Sequence, residues 1–84
     1  GNKSMNLEKF AKLCGFENIV VSNIDDVVLK IKEFGVKEIW VSQAEMNIIV
    51  QFYLTNSGDK DPDKPKILRE GKIDKYLGLK VKLE

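Results

Sequence analysis

The sequence predicts a small α/β (α+β) domain, a mixed sheet of three to four strands packed by two to three helices. Three observations carry this expectation. Apolar residues recur at helical spacing in three segments, each with end signals. Two β-branched runs, residues 18–22 and 37–42, flank the most regular of these segments and give a strand–helix–strand order. The chain then closes on a run in which Leu79, Val81 and Leu83 alternate with Lys80, Lys82 and Glu84, the pattern of a strand with one buried face.

The first helical segment is residues 5–14. Leu7, Phe10, Ala11 and Cys14 fall at i, i+3, i+4 and i+7 and share one face. Ser4 or Asn6 can cap its start, Gly15 suits its left-handed stop, and Phe16 can fold back on the last turn. Residues 18–22, "NIVVS", read as a short buried strand. A helix over 23–34 follows, with Ile24, Val27, Val28, Ile31 and Phe34 in phase and Gly35 as its terminator. Ser22 and Asp25 resemble a capping box, and Asp25 and Asp26 suit the positive end of the helix dipole. Neighbouring helical positions point about 100° apart, so this acidic pair does not converge on a metal or a proton.

Residues 37–42 read as the second strand, parallel to the first across a right-handed helical crossover. Trp40 lies inside it, read as one buried tryptophan of the core, with a ligand-stacking role as the alternative. Residues 46–54 fit two periods. Met46, Ile49, Val50, Tyr53 and Leu54 keep helical spacing, while Met46, Ile48, Val50, Phe52 and Leu54 alternate. Ser42 and Glu45 form an S-x-x-E capping box, which decides for a helix. That helix is apolar on more than one side, so part of it is expected to meet another subunit.

Residues 55–65 read as an exposed loop. Asp59, Asp61 and Asp63, with Glu70 at the twelfth place, resemble calcium-loop spacing, but Lys64 stands where glycine is needed and Pro62 and Pro65 stiffen the turn. A solvated charged loop is the expectation, with no metal residue assigned. Beyond it, Gly71 and Gly78 mark turns on either side of Ile73, Tyr76 and Leu77 and let the chain double back into its last strand.

The chain has 84 residues, 43% of them hydrophobic and 32% charged, a composition for one globular domain over residues 1–84 with a modest core. Residues 1–5, opening GNKS ahead of Met5, read as an expression remnant. Runs such as Ile48-Ile49-Val50 are too short to cross a bilayer, and no signal-type segment opens the sequence, so no membrane partner is expected and the location is cytoplasmic. One cysteine and no histidine exclude an internal disulfide, a multi-cysteine zinc site and histidine acid–base chemistry. Cys14 reads as a small core residue rather than a reactive thiol. No catalytic, cofactor-binding or metal residue is assigned. Residues 1–59 hold six lysines and eight acids, net −2, and residues 60–84 hold seven lysines, one arginine and five acids, net +3.

The order of elements from about residue 18 to 84 resembles the distal part of tailed-bacteriophage major capsid proteins. Gly71, Ile73, Gly78 and Val81 match the closing "G-x-I-x-x-x-x-G-x-x-V" pattern of that family, and Ser42 stands where it often opens a helix with Asn or Ser. A complete subunit of that family is several times longer, so the resemblance implies an isolated or truncated axial domain. It implies a non-catalytic structural role, self-association or contact with other capsid-type subunits, no cofactor, and a place in the virion. Ring assembly needs two different complementary surfaces, for which the 55–65 loop and the 46–54 segment are the candidates. The alternative is a small nucleic-acid-binding or regulatory module using the basic C-terminal segment, with Lys64, Lys66, Arg69, Lys72, Lys75, Lys80 and Lys82 around Tyr76. A small enzyme using Cys14 or a carboxylate pair is a third, weaker alternative.

Overall fold

The computed structural model of the chain describes residues 4–58 and 60–84. It has the expected α/β class. Four strands, β1 (Ser4–Asn6), β2 (Glu38–Val41), β3 (Lys75–Tyr76) and β4 (Leu79–Leu83), form one mixed sheet in the order β1-β2-β4-β3. β1, β2 and β4 run parallel, and β3 pairs antiparallel with β4. Four helices, α1 (Leu7–Leu13), α2 (Ile24–Glu33), α3 (Gln43–Asn56) and α4 (Lys64–Glu70), supply the crossovers.

The strand expected at residues 18–22 is absent. The place beside β2 belongs to β1, where Ser4, Met5 and Asn6 pair with Glu38, Ile39 and Trp40. Residues 18–23 instead close on Asn23, whose Oδ1 accepts from the Val20 N–H at 2.9 Å and whose Nδ2 donates to the Asn18 carbonyl at 2.8 Å. β-branched character alone does not make a strand; context decides. The same contacts overturn the Ser22–Asp25 capping box: Asn23 is the N-cap of α2, and its side chain is spent on the loop. Asp25 and Asp26 do lie in the first turn.

α1 ends as expected. The Gly15 N–H donates to the Lys12 carbonyl and the Phe16 N–H to the Ala11 carbonyl, with Gly15 at φ 95°, a complete Schellman motif. Asn6, not Ser4, caps its start by accepting from the Lys9 N–H at 3.0 Å. α3 carries both bonds of its capping box. The Ser42 N–H donates to Glu45 Oε1 at 2.7 Å, and the Glu45 N–H to Ser42 Oγ at 3.2 Å. This settles residues 46–54 as helix. α4 occupies the end of the segment read as loop. Pro65 sits in its first turn, where a missing N–H is harmless.

One core joins the layers. Leu7 and Ala11 from α1, Val27 and Ile31 from α2, Ile49 from α3 and Ile67 from α4 meet Ile39, Val41, Leu79 and Val81 of the sheet. The sheet is therefore covered by helices on one face only. β4 is an interior strand rather than an edge, and its lysines face solvent.

Candidate interaction surfaces

Side-chain alternation fixes what the open face of the sheet carries. Ile39 and Val41 point into the core, so Trp40 between them points out and is 37% exposed. The core assignment of Trp40 is thus overturned, and the period-two reading of "EIWV" is the signal that would have placed it. Register sets Lys82 beside Trp40, Lys80 beside Glu38, and Lys75 opposite Lys80. Lys82 Nζ lies 5.8 Å from the Trp40 ring centroid and 3.6 Å from Glu38 Oε1. The open face is a tryptophan among lysines, with Glu38 as its acid. Parallel strands are rarely left bare on one side.

A second exposed apolar group lies in the helical layer. Leu13, 72% exposed, and Phe34, 64% exposed, stand at the C-terminal ends of α1 and α2. Phe10 meets Phe34 edge to face with ring centroids 5.6 Å apart, and Leu13 lies one turn from Phe10 on the same helix. The 46–54 segment is largely spent on the domain's own core. Met46 and Ile49 are buried, and Ile48, Val50, Phe52, Tyr53 and Leu54 are half-buried against the core. α3 touches α2, α4 and β2 on different sides, which is why it is apolar nearly all round.

The 55–65 segment is organised internally. The Tyr53 hydroxyl donates to Asp61 Oδ2, and Asp61 Oδ1 accepts from the Asp63 N–H at 2.9 Å. The bond to Asp61 comes first among the causes that push the Tyr53 hydroxyl up to about 12, ahead of burial and the negative charges of Asp61 and Asp63. The same bond, then the Asp63 N–H, holds the Asp61 carboxyl below its ordinary value. Asp61 is therefore engaged with the protein itself. Asp59, the first member of the calcium-like run, lies outside the described residues. Among the described residues no three metal-ligating side chains gather.

Cys14 is a half-buried free thiol at the C-cap of α1. Tyr76 is buried, packs edge to face on Phe52 with centroids 6.4 Å apart, and its hydroxyl has no protein partner among the described residues. Burial first, then the charge of Asp25, pushes that hydroxyl up to about 12. Two clefts carry charges of both signs. One, between α4 and β3, has Asp63, Glu70 and Asp74 beside Lys66, Lys72 and Lys75. The other, between α1 and α3, has Glu8, Glu17 and Glu45 with Lys12. Among the described residues no helix is long and apolar enough to cross a membrane.

The closing ribbon gives each residue of its pattern a geometric part. Gly71 caps α4 at φ 68°, and Ile73 is buried behind it. Leu77 and Gly78, at φ 51° and 86°, make a two-residue turn between β3 and β4, and Val81 is buried in the sheet beside Ile39. No family model, no curated protein and no solved structure matches the chain.

Proposed function

We propose that this chain is a non-catalytic assembly domain that packs against copies of itself, as the axial part of a phage-type capsid subunit does. The observation that carries the reading is the placing of large exposed apolar side chains on two opposed layers. Leu13 and Phe34 project from the helical layer, and Trp40 from the bare face of the sheet. Two unlike surfaces on one domain are what a head-to-tail ring requires. The rigid turns at Gly71 and Gly78 support the resemblance to the capsid hairpin, and α2 and α3 pack on a small mixed sheet as that resemblance implies.

Light scattering over a concentration series tests the reading. The expected result is association that weakens in Phe34→Asp and, separately, in Trp40→Asp, with recovery when the two variants are mixed as far as one intact surface of each allows. A protein that stays monomeric at millimolar concentration would contradict it. The lysine-flanked Trp40 favours a second reading, a nucleic-acid-binding module, because base stacking on an aromatic amid cations is sequence-tolerant. A gel shift that weakens steeply with salt would select that reading instead.

A further inference from the structure

An open cleft of about 510 Å³ lies between the C-terminal end of α2 and the β3–β4 hairpin. Lys32, Lys37, Lys75 and Lys80 line it, together with the backbone of Gly35 and Gly78. No carboxylate lines it, unlike the mixed-charge clefts at α4 and α1. Among the described residues none of these four lysines makes an ion pair, although Lys12, Lys30 and Lys82 each do.

The fold forces this concentration of charge. The hairpin register sets Lys75 directly opposite Lys80, an arrangement in which like charges repel. The Lys80 N–H donates to the Lys37 carbonyl at 3.0 Å, which ties a third lysine to the same strand end. Lys32 Nζ lies 3.1 Å from where a Cβ on Gly78 would sit, so the bare turn gives its ammonium room to lie over the hairpin. Four lysines thus line one concavity whose own lining holds no carboxylate, the nearest acids in register and sequence being Glu38 beside Lys80 and Asp74 beside Lys75. Cations lining one concavity reinforce one another's field toward a bound anion, the more so at low ionic strength.

We propose that this cleft is an anion site for a ligand carrying two or more phosphate groups. Lys32 and Lys80 would hold its oxygens, with Lys37 and Lys75 completing the neutralisation. The proposal does not require the assembly reading, although the cleft shares Lys75 and Lys80 with the open sheet face and its Gly35 follows Phe34.

Amide NMR titration of the folded chain with sodium pyrophosphate at low ionic strength tests it. The expected result is saturable shifts at Gly35, Gly78 and Lys80, lost as salt is raised. Lys32→Gln and Lys80→Gln should each weaken binding by about threefold to fivefold, the range of one exposed charge contact, while Lys66→Gln on α4 leaves it unchanged. A parallel titration with oligothymidylate separates the sources of phosphate. Shifts at the same amides joined by the Trp40 indole point to a nucleic-acid backbone, and shifts with pyrophosphate alone point to a small phosphorylated ligand. Either supports the site. Absence of saturable shifts with both probes, or an equal loss in Lys66→Gln, would overturn it.

Discussion

Gly78→Ala isolates the part the closing turn plays. Gly78 stands at φ 86° as the second residue of the β3–β4 turn. An L-residue held in the left-handed region is strained by about 1–2 kcal/mol. Against this, alanine stiffens the unfolded chain, which offsets about 0.4–1 kcal/mol. The added Cβ would meet Lys32 Nζ at 3.1 Å, the free end of a flexible side chain that can withdraw. The net expectation is a loss of about 1 kcal/mol, or a fall in Tm of about 4–8 °C for a domain of this size. Gly71→Ala, at φ 68° with nothing within 4 Å of the new Cβ, should lose a similar amount through backbone strain alone. Gly58→Ala is the control. It has the same open surroundings and no left-handed φ, so it should gain about 0.4–1 kcal/mol. Calorimetric melting of the three variants reads the result. Gly78→Ala as stable as the parent, or Gly58→Ala losing as much as Gly78→Ala, would refute the claim that backbone conformation is what these positions demand.

Ser42→Ala removes one half of the α3 capping box and should destabilise by about 1 kcal/mol in urea melts, whereas an exposed control such as Gln43→Ala should change little. Tyr76→Phe deletes a buried hydroxyl that lacks a protein partner and should raise stability by about 1 kcal/mol; a loss of that size would mean the hydroxyl is bonded in solution. Asp61 has a carboxyl held low by the Tyr53 hydroxyl, so its contribution is present above the unfolded pKa and lost as pH falls through the lower folded value. Asp61→Asn should therefore flatten the acid limb of a Tm–pH curve below the ordinary carboxylate range, and an unchanged limb would count against the bond. Tyr53, raised to about 12, gives the opposite sign: its contribution is complete below pH 10.0 and lost as pH climbs toward 12. Ultraviolet difference titration should find one late-ionising tyrosine fewer in Tyr53→Phe.

Local signals read from the sequence were reliable where they satisfied backbone groups locally. The Gly15 stop, the Ser42–Glu45 box and the Gly71 and Gly78 turns all depend on residues a few positions apart, and each stands where its chemistry demands. The failures involve partners distant in the chain. Residues 19–21 have the composition of a strand, yet pairing beside β2 went to Ser4–Asn6, a segment with no β-branched residue to announce it. Trp40 reads as a core tryptophan in a short strand, although alternation with Ile39 and Val41 turns it outward. The apolar excess of α3 follows from three neighbours inside the domain, α2, α4 and β2. The cationic cleft was invisible because Lys32 and Lys37 are far in sequence from Lys75 and Lys80, and only the hairpin register and the end of α2 bring them together.

Concentration-dependent amide NMR of the unmodified chain tests the assembly account most directly. Head-to-tail contact predicts that dilution shifts two separate sets of signals together, one around Leu13 and Phe34 and the other around Trp40 and Lys82. Spectra that do not change with concentration, or changes confined to one of the two sets, would contradict it.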